Sequence, residues 1–348
     1  MDEDAVPLEI INAAAPIRIC DNGGWTDTWF AGHGKVFNIA VSPYVEVQIK
    51  AYRRRAQAHQ VIVNAENYKE RYAVAAEAPP GRHPLLEAII GEMVIPDDMS
   101  LEISISSLAP AGSSTGTSAA LAVALIGALD VLTPGRLPLH EIAITAHRVE
   151  VERLGIQSGV QDQYCAAFGG INYIEIDSYP HAWVRQLRLP ADTWAQLDHR
   201  LVLVYLGRAH VSSDAHDQVI TALTAHRGTI EHSLEALRQA AADARDAVIA
   251  ADLVALGRAM SANTEAQRRL HPDLISKSAQ EVIDVAMACG AFGWKVNGAG
   301  GEGGSVTVLC GEGAQYKRRL VAALPRADPL FRVLPTSLSR DGLRVWRS

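Results

Sequence analysis

The chain is short of cysteine, has no outstanding run of lysine and arginine, and lacks any apolar stretch long enough to cross a bilayer. Its four cysteines, Cys20, Cys165, Cys289 and Cys310, are scattered through 348 residues with no CxxC pair. That excludes a disulfide scaffold and the usual zinc-ribbon spacing, and reads as reduced, mostly buried thiols of a cytoplasmic protein. No Lys/Arg cluster stands out and the formal net charge is -7, which argues against nucleic acid or an anionic membrane surface as the main partner. The N-terminus, MDEDAVPLEI, is acidic and has no apolar core of signal-peptide length. The longest apolar run, Ala119 to Leu132, is too short to span a membrane and is interrupted by Asp130. Also missing are the Gly-Lys-Ser/Thr closure of a Walker A loop, the glycine spacing of a dinucleotide fingerprint, an HExxH pattern and a nucleophile elbow. Their absence speaks against a P-loop NTPase, a Rossmann dehydrogenase, a zinc protease of that type and a Ser-His-Asp hydrolase.

What is present is a hydrophobic fraction of 48%, enough for one large domain or two compact ones. The most informative stretch is APAGSSTGTSAALAV, Ala109 to Val123. It follows LEISISS, Leu101 to Ser107, whose apolar and polar residues alternate like a half-buried strand. The order is therefore strand, loop of glycines and hydroxyls, apolar helix. Gly112, Ser113, Ser114, Thr115, Gly116, Thr117 and Ser118 are small enough to let the backbone approach a ligand. The N–H groups at the helix start favour an anion there. Thr117 or Ser118 can cap the helix, or either hydroxyl can ligate a magnesium ion held by phosphates. A flexible turn before a core helix would show the same composition.

Along the chain, strands are expected at Ile10–Cys20, Val36–Ala40 and Tyr44–Lys50, with another hairpin inside Gln57–Val74. A short helix follows at Leu85–Met93. Helices are expected at Ala119–Leu132, Pro138–Leu154 and Val160–Phe168, then a strand at Ile171–Ile176. Asp177–Thr193 shows little periodicity and marks a division into domains of 1–185 and 186–348. The second half carries a buried strand at Leu201–Leu206 and long helices at Ser213–Ala241, Ala242–Ala262 and Leu274–Cys289. Next come a glycine loop at Lys295–Gly304, a strand at Ser305–Cys310, a helix at Ala314–Leu324 and a last strand at Gly342–Arg347.

Several polar residues suit chemistry on a phosphorylated ligand. Asp162, between Gln161 and Gln163 just past the Ser158-Gly159 turn, can accept a proton from a hydroxyl as it attacks a phosphoryl group; otherwise it caps a short helix. Glu150 with a hydroxyl and phosphate oxygens makes a magnesium site, since magnesium keeps several waters; otherwise it is a helix charge paired with Arg148 or Arg153. Asp27, beside Trp25 and Thr26 on a glycine turn, suits a polyhydroxylated ligand: the carboxylate accepts from sugar hydroxyls and the indole covers the ring; otherwise it bonds its own backbone in an ordinary turn. Arg18 can face a phosphate or orient Asp162; otherwise it is an edge-strand charge. KVNGAGGEGG, Lys295 to Gly304, has five glycines, more than a hairpin needs, so close packing on a loop or ligand is expected. Glu302 is awkward beside a triphosphate unless it points away or faces the metal. Lys35, His33 or Arg208 could read a substrate phosphate, and Asn64–Tyr72 is a candidate adenine segment.

Three of these stretches, in this order, resemble the three motifs of the GHMP small-molecule kinases, the galactokinase, homoserine kinase and mevalonate kinase group. APIRICDNGGWTD is similar to the first motif, APAGSSTGTSAA to the second and KVNGAGGEGG to the third. GGWTD and SGVQDQYCAAFGG look most like the heptose 7-phosphate kinase and L-fucokinase branch. The resemblance implies an α+β fold, with a ribosomal-S5-like N-terminal domain, a ferredoxin-like C-terminal domain and the active site between them. It implies a kinase that uses ATP and Mg2+ to phosphorylate a sugar or sugar phosphate, at the anomeric hydroxyl in that branch. Residues 112–118 would wrap the ATP phosphates. Ser118 or Thr117 and Glu150 would hold magnesium, Asp162 would be catalytic and Arg18 would support it. Asp27 would bind sugar hydroxyls, and Gly298, Gly300 and Gly301 would pack against the phosphate loop and the acceptor. Ser114 and Thr115 stand where Gly-Leu is usual, and Glu302 where glycine is. A homodimer, and a non-catalytic sensor of the same fold, stay open.

Overall fold

The computed structural model describes residues 6–54, 59–74, 81–209, 219–221 and 227–348. The chain starts with β1 (Glu9–Asn22), β2 (Gly34–Arg53), β3 (Val61–Ala65), β4 (Glu70–Val74), α1 (Pro84–Glu92) and β5 (Met99–Ser107). It continues with α2 (Thr117–Asp130), α3 (Leu139–Arg148), a π-helical turn (Val149–Arg153), α4 (Gln161–Phe168), β6 (Ile171–Ser178) and β7 (His181–Gln186). The second half holds α5 (Ala191–Arg200), β8 (Leu201–Tyr205), α6 (Arg227–Ile249), α7 (Leu253–Leu270), α8 (Lys277–Ala288), β9 (Gly293–Val296), β10 (Ser305–Leu309), α9 (Ala314–Ala327), β11 (Arg332–Leu334) and β12 (Arg344–Arg347).

Two sheets organise these elements, as expected for α+β. One has eight strands in the order β12-β1-β2-β5-β3-β4, with β6 on β2 and β7 on β6. The other has four antiparallel strands, β11-β8-β10-β9. β12 returns to the first sheet, pairing Arg344–Arg347 with Ile11–Ala14. α2 is buried nearly all round, as its continuous apolar sequence requires, and packs on β1 and β2. One core joins α2, the inner strands and the alanine face of α6; a second lies between the smaller sheet and α8 and α9.

Val36–Ala40 and Tyr44–Lys50 form a single strand, not two. Val41 pairs with Ile17 and Tyr44 with Pro16, so Ser42 and Pro43 bulge out of the ladder, where a proline's missing N–H does no harm. The aperiodic Asp177–Thr193 contains β7, which forms a hairpin with β6, and the start of α5. The helix break expected at Ala241/Ala242 falls at 250–252 instead. The alanines carry no stop signal, whereas Ala251 adopts φ 57 and the Asp252 carboxylate caps the next helix by accepting from Ala255 N at 2.8 Å. The first part of the helix expected over Ser213–Ala241 lies outside the described residues. Among the described residues no helix is long and apolar enough to cross a membrane.

Candidate functional site

A cleft of about 560 Å³ opens along the loop before α2. The loop is shaped by residues in the left-handed region: Gly112, Ser114 and Gly116 have φ of 66, 57 and 69. Ser114 thus occupies a conformation that favours glycine. Thr115 is held from behind, its carbonyl accepting from Arg18 N at 2.9 Å. The Ser113 and Thr115 hydroxyls are buried and bonded to each other at 2.7 Å, and the Ser113 carbonyl accepts from Ser305 Oγ at 2.6 Å. These two hydroxyls therefore brace the loop. The helix begins at Gly116 with no side-chain cap. Thr117 and Ser118, one of which the sequence suggested as the cap, lie inside the first turn because glycine supplies the entry conformation. Both line the cleft, and the uncapped N–H groups of the helix start remain available to an anion.

Arg18, on β1, reaches Asp162 on α4. Nε donates to Oδ1 at 2.8 Å and Nη2 to Oδ2 at 3.1 Å, while Nη1 donates to the Ser114 carbonyl. Burial opposes the guanidinium charge, yet the carboxylates of Asp162 and then Asp21 raise its pKa. Gly116 sits so close that a Cβ there would meet Asp162 Cγ at 3.1 Å. Loop, arginine and aspartate thus form one rigid contact at the cleft.

Asp27 and Glu150 line the same cleft. Asp27 is presented by the turn after β1. That turn is fastened by Gly23 N donating to Asn263 Oδ1 at 2.7 Å, and by Arg238 of α6 donating to the carbonyls of Ala31 and His33. Asp27 accepts from Gln161 N at 3.1 Å; burial, and then the charge of Asp162, push its pKa up to about 6. Gly159 permits this approach, since a Cβ there would stand 2.1 Å from Asp27 Oδ2. Glu150, on the π-helical turn, accepts from Ser158 Oγ at 2.8 Å and Gln163 Nε2 at 2.6 Å. Burial is the main reason that its pKa is raised to about 7.

Four expected sugar-side residues stand differently. The Trp25 ring is 5% exposed and packs with Phe30, Ile230 and Leu234; it borders the cleft as a core residue, and no open aromatic face is left there. Thr26 turns its hydroxyl to the carbonyl of Gly23 at 2.7 Å and closes the turn. Gly298 lines the cleft, its N–H donating to Asp21 Oδ2 at 2.9 Å. Gly300 and Gly301 instead pack against Leu274, whose carbonyl accepts from Gly301 N at 2.8 Å, because the loop turns away after Ala299. Glu302 is exposed, and neither it nor Lys35, His33 or Arg208 lines the cleft.

Sequence reasoning passed over Asp21 as a site residue, although it lines the cleft. Lys295, read as the start of a loop, belongs to β9 and points its Nζ to Asp21 Oδ1 at 3.4 Å; both side chains are at most 1% exposed. A lysine in an otherwise apolar strand was the available signal. At the far end, Tyr68 and His83 line the cleft with ring centroids 5.0 Å apart; only Tyr68 falls in the segment suggested for adenine. Among the described residues no cluster of three or more His, Cys, Asp or Glu could hold a metal. A magnesium ion carried on phosphates needs fewer protein ligands. The Glu150 carboxylate and the Ser118 hydroxyl, both on the cleft lining, have the oxygen chemistry that mode requires.

Residues 85–170 match the family model described as the GHMP kinases N terminal domain. D-glycero-alpha-D-manno-heptose 7-phosphate kinase of Campylobacter jejuni is 24% identical over 98% of this chain and 100% of its own length. Mevalonate kinase of Pyrococcus furiosus is 27% identical over 88% of this chain and 90% of its own. The crystal structure of a D-glycero-D-manno-heptose 1-phosphate kinase from Bacteroides thetaiotaomicron superposes with a TM-score of 0.74 at 23% identity, covering 97% of this chain and 98% of that one; that likeness is one of fold.

Proposed function

We propose that this chain, whose residues 85–170 match the GHMP kinases N terminal domain, is an ATP-dependent sugar kinase that moves the γ-phosphoryl group to a hydroxyl, the anomeric one, of a monosaccharide or sugar phosphate. The observation that carries the reading is the fork of Arg18 on Asp162 beside the loop of residues 112–118. It fixes a carboxylate next to a cradle of backbone N–H groups. The division into residues 1–185 and 186–348 fits this reading, since the cleft draws on Arg18 and Asp162 from the first part and Gly298 from the second.

In this mechanism the loop amides and the start of α2 hold the phosphates of ATP. Asp27 accepts hydrogen bonds from sugar hydroxyls and aligns the acceptor. Asp162, held by Arg18, orients the attacking hydroxyl and takes its proton. The acceptor oxygen bonds to the γ-phosphorus, the bond to the β–γ bridging oxygen breaks, and ADP leaves. Glu150 and the Ser118 hydroxyl would hold magnesium, which when bound neutralises the β- and γ-phosphate charge. Most of the rate then comes from positioning.

The test is coupled ADP release with magnesium-ATP over a panel of free sugars, sugar phosphates, mevalonate and homoserine, with the product located by NMR. Turnover of a sugar supports the reading. Turnover of mevalonate alone would favour the second reading, a mevalonate kinase, to which the 27% identity with the Pyrococcus enzyme points. ATP binding without turnover of any acceptor would leave a non-catalytic homologue.

A further inference from the structure

We propose that the acceptor is a neutral monosaccharide, carrying no phosphate or carboxylate of its own. The inference rests on the sugar-kinase reading and narrows it. The cleft is lined by four carboxylates, Asp21, Asp27, Glu150 and Asp162; Arg18 offsets Asp162 and Lys295 faces Asp21, while Asp27 and Glu150 make no ion pair among the described residues. An anionic substituent entering there would meet the Asp27 carboxylate, which has no ion pair among the described residues, and no free lysine or arginine among the described lining residues, whereas sugar hydroxyls donate to carboxylates.

The basic groups nearby are already engaged. Among the described residues, Arg18 is the one lysine or arginine lining the cleft, and all three of its nitrogens are taken, two by Asp162 and one by Ser114 O. Lys295 is buried on Asp21, Gln267 and the carbonyl of Val296. Arg238, also buried, pairs with Glu231 and Glu235 while holding the carbonyls of Ala31 and His33. Lys35, His33 and Arg208 are exposed and outside the lining. Beyond the residues whose side chains are described, the sequence supplies two further cations of this type, Arg55 and Arg227; the segments 210–218 and 222–226 contain neither lysine nor arginine.

The rim suits an uncharged ring as well. Trp29 is 50% exposed, and its indole N–H donates to Gln157 Oε1, a residue that lines the cleft. Phe30 supports it edge-on at 5.7 Å. Trp29 is not itself among the lining residues, but beside Gln157 it offers an exposed aromatic face of the kind on which the apolar side of a pyranose rests.

The experiment compares each free sugar with its own phosphate ester. The pairs are D-mannose and mannose 6-phosphate, D-galactose and galactose 6-phosphate, and D-glycero-D-manno-heptose and its 7-phosphate. L-fucose and mevalonate are added, and all are assayed by ADP release at saturating magnesium-ATP. The expected result is a kcat/KM for the best free sugar at least tenfold above that of its ester. The gap should narrow as salt is raised from 20 to 300 mM, because screening weakens the repulsion. Equal or better use of an ester overturns the proposal while leaving the sugar-kinase reading intact. Turnover of mevalonate alone, or of no acceptor although ATP binds, overturns that reading and this inference with it.

Discussion

Arg18 grips Asp162 with two parallel hydrogen bonds, at 2.8 and 3.1 Å, across 144 residues of sequence. The fork fixes the carboxylate in the plane of the guanidinium, which a single-point cation cannot do. Arg18→Lys should therefore keep the charge and lose the aim, lowering kcat by roughly 10²-fold. Asp162→Asn should lower it by about 10²–10⁴-fold with ATP affinity nearly unchanged. Steady-state kinetics alongside calorimetric ATP binding check both; full turnover by Asp162→Asn would remove that residue from the chemistry.

Asp27 gives a signed pH dependence. Its folded pKa, about 6, lies above the ordinary 3.8 because the carboxylate is buried. Sugar binding through the ionised form should strengthen as pH rises through 6, giving an acid limb in kcat/KM for the acceptor. Stability runs the other way. A group with a raised folded pKa contributes stability that is fully present below its unfolded pKa and lost as pH rises through the folded one. Asp27→Asn, which keeps an acceptor for Gln161 N, should be more stable than the parent at pH 8, with the advantage fading towards pH 4. Thermal melts across that window measure it.

Glu150 is the candidate anchor for magnesium. Glu150→Gln should raise the magnesium concentration needed for half-maximal rate by about tenfold or more, given that even supporting residues of a metal site matter by 10–100-fold. A magnesium titration of ADP release reads this directly. An unchanged midpoint would assign Glu150 a purely structural part, bracing Ser158 and Gln163.

Gly159→Ala would drive a methyl into the Asp27 carboxylate, 2.1 Å away. The expected outcome is a raised acceptor KM with ATP binding preserved, at a stability cost of about 1–3 kcal/mol, seen as a lower urea midpoint.

Lys295→Met leaves Asp21 charged and unpaired in the interior. Such one-sided removals cost about 3–5 kcal/mol. The double change Asp21→Asn with Lys295→Met should recover much of that loss. Chemical unfolding of the two single variants and the double one tests the pairing.

Much of the strand pattern was legible because alternation survives wherever one face is buried; Val45, Val47 and Ile49 are an example. The loop of residues 112–118 was legible as a loop because strand, small residues and apolar helix follow one another without interruption. The Asp21–Lys295 pair was not, since nothing local links residues 274 apart. The burial of Trp25 was not legible for a related reason. Trp25 sits on the glycine turn, yet α6 and α7 cover it, while Trp29 escapes cover; which indole is open depends on helices that arrive 200 residues later. Thr117 and Ser118 look like caps by composition, but Gly116 already supplies the helix entry.

β12 bears on the order in which the molecule can be made. The edge of β1 that carries Ile11–Ala14 is satisfied by residues 344–347, and Leu343 packs over Gly127 of α2. During synthesis, the first sheet emerges from the ribosome with that edge bare and stays so until the second sheet has been translated. The loop of residues 112–118 hangs between β5 and α2, so in nascent chains stopped short of residue 343 the α2 that follows it should lack its Leu343 contact. Vectorial folding here runs as a loop that shuts on its own beginning.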